Sequence, residues 1–195
     1  MEPLSETGPG TRRPSPFSRE DVQAIAERRG WLAAGDAREA AASLEPDASE
    51  AARNEWMAEA AQLLGAQSQD ERALEGLLER VFDYDARELL ARAENQAVMA
   101  REGARQVLRE LAALVLDSVE VNSERYKEIV AALKERTGRR GQELFHPVRL
   151  ALAGRAGEGE FDRVVLLLDG AARLHWAVAV KSCRQRIIEF CAALD

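Results

Sequence analysis

The chain has 195 residues, of which 46% are hydrophobic and 31% charged, and its formal net charge is −7. This length and apolar content fit one ordinary domain or two small ones and exclude a wholly disordered polypeptide. Because apolar runs stay well below the roughly 18 residues of a membrane-spanning helix, and the first residues lack an apolar signal segment, we expect a cytoplasmic protein without membrane contact.

The composition favours an all-α fold, a helical bundle preceded by a disordered tail. Alanine, the best helix former, occurs 35 times, and no stretch alternates convincingly between polar and apolar residues. Residues 1–17 hold four of the six prolines. They cannot bury enough apolar surface to offset the entropy of ordering, so they predict the disordered tail.

The N-terminal half contains signals for four helices. Ser18 and Asp21 form a capping-box pattern at the start of the first helix, and Gly30 fits its end. A short helix is predicted at Asp36–Leu44. The next two helices are predicted from Pro46 to Gly65 and from Asp70 to Phe82, each with an apolar stripe at helical spacing.

Three further helices are predicted in the middle of the chain. Asp83 or Asp85 caps a short helix that reaches about Asn95, and a longer helix then extends to about Asp117. Asn122 or Ser123 caps the third, which ends at Gly138.

The C-terminal part is predicted to form three helices after a turn. The first is short, has Pro147 near its start and ends at Gly154. The second passes through Phe161–Leu168 and is broken by Asp169–Gly170. The last extends from about Ala171 to Leu194 with an apolar face that includes Cys183 and Cys191. These cysteines lie too far apart on one helix for a disulfide, so we interpret them as buried small residues in a reducing compartment.

Charge is distributed unevenly along the sequence. Residues 1–122 carry a net −10, whereas residues 123–186 carry +5. Lys134, Arg136, Arg139 and Arg140 cluster at one helix end and the following turn. This cluster indicates either a surface that docks a polyanion or cations that simply complement a helix dipole.

The sequence lacks the constellations that mark an enzyme of this size. It has no glycine-rich phosphate loop, no dinucleotide-binding motif and no nucleophile elbow. Its two histidines and two cysteines form no zinc pattern, so no metal is expected. His146 could act as a general base, but a packed or capping histidine is the simpler interpretation. These features favour a binding or structural module.

A resemblance gives this module a more specific function. Residues Tyr126–Leu174 resemble the C-terminal anticodon-binding domain of bacterial glutamyl-tRNA synthetase. The matching blocks are Thr137–Gly138, the turn Arg139–Gly141, Leu-Phe-His-Pro-Val-Arg at 144–149, Ala-Leu-Ala-Gly at 151–154, Gly-Glu-Phe at 159–161 and Leu-Leu-Asp-Gly at 167–170. Residues Phe82–Val121 resemble the upstream half weakly, whereas residues 1–80 do not align with it.

Some family features differ or are missing. Ala153 stands where the family has threonine, the proline of the following loop is absent, and Arg139–Arg140 replace a Gly-Lys pair. The signatures of the synthetase's nucleotide-binding half do not occur in this sequence. We therefore expect no catalysis by this chain alone and no cofactor, since ATP would bind only to the family's catalytic domain.

The resemblance also implies which residues contact RNA. The family's base-contacting arginine corresponds to Arg149, and its apolar anticodon contact corresponds to Phe161. Arg149 could instead pair with Glu143 or Asp162, and Phe161 could belong to the core. The full candidate set comprises Arg149, Phe161, Arg139, Arg140, Lys134 and Arg155.

The implied partners are a tRNA, in particular tRNA-Glu, and a separate synthetase catalytic chain. The chain would be a free-standing module or a truncated synthetase, with a disordered tail at 1–17, an unassigned helical region at 18–81 and the anticodon-binding-like domain at 82–195. The alternative is a helical protein-interaction adaptor that no longer binds RNA, which the acidic N-terminal half favours.

Overall fold

The computed structural model of the protein describes residues 15–32 and 46–194, without the side chains of residues 46–48. These residues form ten α-helices and no strand, which confirms the all-α prediction. The helices are α1 (Arg19–Arg28), α2 (Pro46–Gly65), α3 (Glu71–Phe82), α4 (Ala86–Ala91), α5 (Ala93–Met99), α6 (Ala104–Leu116), α7 (Ser123–Thr137), α8 (Gly141–Ala153), α9 (Glu160–Ala172) and α10 (Cys183–Leu194).

The predicted helix at Asp36–Leu44 lies outside the described residues, as do residues 1–14 of the predicted tail. The last residues of that predicted tail are described, and Phe17 packs against the core. It lies beside the end of α2, where a side chain at Gly65 would collide with Ser15 and crowd Phe17.

Polar side chains begin the helices where the sequence predicts them. Ser18 and Asp21 form a reciprocal capping box at α1. Asp70 accepts from the amide of Ala73 at α3, and Asn122 accepts from the amide of Arg125 at α7. These bonds satisfy amides that the first helical turn leaves without a main-chain acceptor.

The predicted short helix that Asp83 or Asp85 caps is two helices, α4 and α5. Asp85 is the cap, since it accepts from the amides of Arg87 and Glu88. The chain breaks at Arg92, whose backbone is extended. The buried Asn95 side chain donates to the carbonyl of Leu89 and thereby satisfies an acceptor at the end of α4.

Pro147 lies in the middle of α8 and not near the start of a short helix. A proline at this position removes one main-chain hydrogen bond and ordinarily destabilises a helix by about 3 kcal/mol. The helix nevertheless continues because Val148–Ala153 are all buried. The packing of this buried stretch outweighs the local effect of the proline.

Asp169 and Gly170 do not break α9, contrary to the sequence prediction. A side chain at Gly170 would lie 3.2 Å from Cδ1 of Trp56, and the Trp56 indole donates to the carbonyl of Leu167 at 3.1 Å. A side chain at this position would therefore crowd Trp56, and glycine leaves room for the indole to approach the helix. Asp169 accepts from the amides of Val121 and Cys183, both at 2.7 Å, and so joins three parts of the chain.

The last helix begins at Cys183 and not at about Ala171. Trp176 leaves the helical path and packs edge-on against Trp56 and Phe82, at centroid distances of 5.1 and 4.9 Å. Phe82 also stacks on Trp31 at 4.3 Å. This aromatic cluster holds residues 175–182 in an irregular conformation, and α10 starts only after it.

Arg186 is a fully buried cation on α10 that the sequence did not single out. Its guanidinium donates to the carbonyls of Arg80, Val81, Leu152 and Lys181 at 2.6–3.1 Å. It also lies 4.5 Å from the ring centroid of Tyr84. Burial lowers its pKa to about 10. Because these carbonyls lie near the ends of α3 and α8, Arg186 joins both helix ends to α10.

One hydrophobic core extends from Val22 to Phe190 and crosses the predicted boundary between residues 81 and 82. Helix α8 packs against α5, α6, α9 and α10, and α9 also packs against α2 and α3. The buried stretch of α8 is therefore held by helices on several sides. Within the described part of the chain, no helix has both the length and the apolar character needed to cross a bilayer.

Candidate functional site

The residues that the sequence singled out lie along α8 and at both of its ends. Lys134 lies near the end of α7, Arg139 and Arg140 form the turn before α8, and Arg155 follows α8. We use the term α8 surface for Lys134, Arg140, Phe145, Arg149 and Arg155. It combines cations with an aromatic ring, which is the composition of surfaces that bind single-stranded nucleic acid.

Phe145 is the aromatic centre of the α8 surface. Its half-buried ring lies 5.8 Å from Nζ of Lys134 and 4.7 Å from Cζ of Arg149. Both distances suit cation–π attraction, which holds two cations beside the ring. The sequence prediction missed Phe145 because its contact with Lys134 joins α7 to α8 and depends on the tertiary fold. The signal was its place in the Leu-Phe-His-Pro block.

Arg149 is buried and forms a bidentate ion pair with Asp162 of α9. Nε donates to Oδ1 and Nη2 to Oδ2, each at 2.8 Å, while Nη1 donates to the carbonyl of Gly157. Burial alone would lower the pKa of Arg149, but its hydrogen bonds and ion pair with Asp162 keep that pKa above its ordinary value. The structure thus shows the ion pair with Asp162 that the sequence offered as an alternative to a base contact.

Tyr126 of α7 adds a third element to this pair. Its hydroxyl donates to Oδ1 of Asp162 at 2.8 Å. Burial, reinforced by the negative charge of Asp162, raises the pKa of the Tyr126 hydroxyl. The hydroxyl therefore remains a donor at neutral pH. Asp162 joins α7, α8 and α9 directly beneath the α8 surface.

Phe161 lies at the beginning of α9 and is only 6% exposed. Its ring packs so closely on Gly157 that a side chain at that position would overlap it. The guanidinium of Arg155 lies 5.8 Å from the ring centroid. Phe161 therefore lies in the core, which is the alternative that the sequence left open. The exposed Arg155 lies beside its ring.

The two turn arginines differ in their surroundings. Arg139 forms ion pairs with Glu102 at 3.1 Å and Glu143 at 3.3 Å, and hydrogen bonds to these carboxylates raise its pKa. Arg140 is exposed and has no ion pair within the described residues. Arg140 thus presents its full charge to solvent, whereas two carboxylates offset the charge of Arg139.

His146 contacts a cation and has no catalytic arrangement. Nη1 of Arg101 lies 3.2 Å from its Nδ1, and since a guanidinium can only donate, Nδ1 accepts. Burial and the neighbouring Arg101 lower the pKa of His146 below its ordinary value of 6.5. The imidazole is therefore neutral at pH 7. Across residues 15–32 and 46–194, no group of His, Cys, Asp or Glu side chains could hold a metal ion.

Comparison with known proteins gives a family match that covers most of the chain. Residues 37–167 match the family model described as an anticodon binding domain. This match begins inside the region 18–81 that the sequence left unassigned. It therefore includes α2 and α3, which pack against α9.

Two curated proteins match parts of the chain. Glutamate–tRNA ligase 2 of Syntrophus aciditrophicus (strain SB) is 38% identical over 76 residues, which is 38% of this chain and 16% of that protein. Glutamate–tRNA ligase 1 of Halorhodospira halophila (strain DSM 244 / SL1) is 48% identical over 46 residues, or 24% of this chain and 10% of that protein. The matched part thus spans a sixth or less of these relatives. No solved structure matches the chain.

Proposed function

The chain belongs to the anticodon-binding domain family, and we propose that it is a tRNA-binding module that holds an anticodon stem-loop. The observation that carries this proposal is the family match over residues 37–167, which includes every element of the α8 surface. An anticodon loop presents unstacked bases on a charged backbone, and proteins bind such loops by arginine contacts and aromatic stacking.

The exposed cations of the α8 surface suit phosphate contacts. Lys134, Arg140 and Arg155 are exposed, and none forms an ion pair within the described residues. Phosphate contacts of this kind set affinity irrespective of sequence. Phe145, with two cations close to its ring, provides an aromatic group next to them.

Base recognition in this proposal falls to Arg149. A guanidinium has five N–H donors, and three of those in Arg149 are donated to Asp162 and Gly157. The proposal assigns the remaining two donors to a base. Phe161 supports Arg155 in its position and meets a base only through its exposed edge.

The tRNA would be tRNA-Glu, and glutamate ligation would take place on a separate catalytic chain. Support comes from the curated relatives, both of which are glutamate–tRNA ligases. The cytoplasm is the proposed compartment, since that is where such a tRNA partner would be found.

A filter-binding titration with tRNA-Glu and an unrelated tRNA, each at two salt concentrations, tests the proposal. We expect salt-dependent binding that weakens in the double variant Lys134→Ala, Arg140→Ala. Its log–log salt slope should fall by about 0.7 for each single-strand phosphate that the variant no longer neutralises. The matched control is Arg72→Ala, Arg87→Ala, which removes two exposed arginines from α3 and α4. Equal binding by both double variants would contradict the proposed surface.

The second candidate function is a protein-interaction adaptor without RNA binding. It is favoured by the net −10 of residues 1–122 and by Ala153 in place of the family's threonine. If the parent protein shows no salt-dependent binding to either tRNA, the adaptor becomes the better account.

A further inference from the structure

A surface cavity of about 740 Å³ lies next to the α8 surface, between the α5–α6 turn and the end of α10. Its volume lies within the range of small-ligand sites. Leu90, Met99 and Leu194 contribute apolar walls. Arg101, Arg105 and Arg139 also line it, together with Glu102. An apolar floor with cations around it matches a ligand that has a flat apolar part and a negative charge.

The arginines of the cavity are not equally neutralised. Glu102 and Glu143 offset the charge of Arg139. Arg101 contacts the neutral His146, and Arg105 is exposed without an ion pair among the described residues. Two cations are thus left uncompensated at the rim, which favours an anionic group there.

Two amide side chains complete the lining. Gln96 and Gln106 line the same cavity, on α5 and α6. An amide offers a donor and an acceptor together, which is the pattern needed for the edge of a base. A side chain at Gly103 would lie 2.7 Å from Nε of Arg139, so the glycine lets Arg139 lie across the α5–α6 turn.

From this lining we infer that the cavity receives one unstacked nucleotide of the bound RNA, its base on the apolar floor and its phosphate at Arg101 and Arg105. The inference rests on the proposed function and adds a second contact region to the α8 surface. The two regions are continuous, since Arg101 contacts His146, the neighbour of Phe145. An acidic peptide would satisfy the same charges, but the glutamines and this continuity favour a nucleotide.

Two pairs of variants of the full chain test the inference, with a tRNA-Glu transcript as the probe. Arg105→Ala removes a rim cation, and Arg109→Ala removes an exposed arginine one turn later on α6 that does not line the cavity. Ala193→Phe places an aromatic ring at the cavity wall without a change of charge. Ala192→Phe places the same ring at the adjacent exposed position, outside the cavity lining.

We expect Arg105→Ala to weaken binding and to lower the salt slope by about 0.7–0.9. Ala193→Phe should weaken binding about tenfold, with an unchanged salt slope, because the new ring excludes the base from the apolar floor. Both controls should bind as the parent does, and melting temperatures should stay within the parent's range for every variant compared. If the Ala193→Phe variant unfolds, the comparison of tRNA binding by Arg105→Ala and Arg109→Ala tests the inference by itself.

The results separate this inference from the proposed function. If the parent binds tRNA and both cavity variants bind equally well, the inference is wrong and the proposed function stands. The inference is also wrong, and the proposed function stands, if the cavity variants still bind tRNA but no longer bind a fluorescent glutamate-rich peptide. That result would make the cavity a protein-docking site. If the parent does not bind tRNA, the proposed function fails and the inference fails with it.

Discussion

Arg149 and Asp162 form a two-bond ion pair, with both N···O distances 2.8 Å, that joins α8 to α9. The same carboxylate accepts a hydrogen bond from Tyr126, so a third helix depends on it. The residue that the family resemblance assigns to base contact therefore also has a structural role. Experiments on Arg149 must separate the two roles.

Two substitutions, each of which changes one partner of the ion pair, separate the structural role of Arg149 from its role in base contact. Asp162→Asn retains the guanidinium, whereas Arg149→Ala removes it. Because each leaves a partly buried charge without its counterion, we expect each to lower the free energy of unfolding by about 2 kcal/mol. Only Arg149→Ala should also weaken binding to a tRNA with the matching anticodon, by about 1–3 kcal/mol, and it should affect a mismatched tRNA much less.

Urea denaturation and filter binding on the same preparations check this prediction. If Arg149→Ala and Asp162→Asn bind matched tRNA equally well, Arg149 has only the structural role.

Phe161→Ala should chiefly destabilise the protein. The ring is 6% exposed, and removal of a buried phenylalanine costs about 3–5 kcal/mol. We expect a large fall in the melting temperature. At a temperature where the variant is still folded, tRNA affinity should fall only slightly, through the loss of support for Arg155. Loss of affinity in fully folded protein, to the extent seen with Arg149→Ala, would instead make Phe161 a direct base contact.

The parts of the fold that depend on local sequence could be predicted. The caps at Ser18 and Asn122 are short-range signals, and the structure confirms them. The errors at Pro147 and Gly170 have a common cause. Each residue is a helix breaker by propensity, but tertiary packing decides: a buried run follows Pro147, and Trp56 packs on Gly170.

Prediction of the candidate site was limited in the same way, because local sequence does not show which helices pack together. The cluster of cations near residue 140 is visible in the sequence, and so is the block that contains Arg149. The two cations close to the Phe145 ring, the cavity at Arg105 and the burial of Arg186 were not predictable. Each depends on residues from separate helices, and no spacing rule along one element brings them together.

Arg186→Met should be strongly destabilising. The substitution keeps an unbranched side chain but leaves buried carbonyls, among them those of Val81 and Leu152, without a donor. We expect a loss of about 3–5 kcal/mol in the free energy of unfolding. Arg184→Met, at an exposed neighbouring position with one hydrogen bond to Leu116, should cost less than about 1 kcal/mol. Similar urea midpoints for the two variants would show that the buried network contributes little.

Binding to tRNA should strengthen modestly as pH falls from about 7.5 to about 5.5, because His146 then gains a proton beside Arg101. The pKa of His146 lies below 6.5 in the folded, unbound protein, so this protein binds the proton only weakly. A nearby RNA phosphate stabilises the protonated imidazole and so raises its pKa. We expect about a threefold gain in affinity. The unbound fold should lose some stability over the same range, because the unfolded chain binds the proton more readily.

His146→Asn should abolish this gain in filter binding at matched ionic strength. The exposed His175, replaced in the same way, should leave the gain intact. A pH dependence that survives in His146→Asn would assign the effect to another group.

The measurement that tests the account most directly compares two pieces of tRNA-Glu. The parent protein is titrated with the isolated anticodon stem-loop and with the acceptor minihelix, under one salt condition. We expect the stem-loop to bind almost as tightly as the whole tRNA and the minihelix to bind far more weakly. Equal binding of the two pieces, or tighter binding of the minihelix, would contradict recognition of the anticodon arm by this protein.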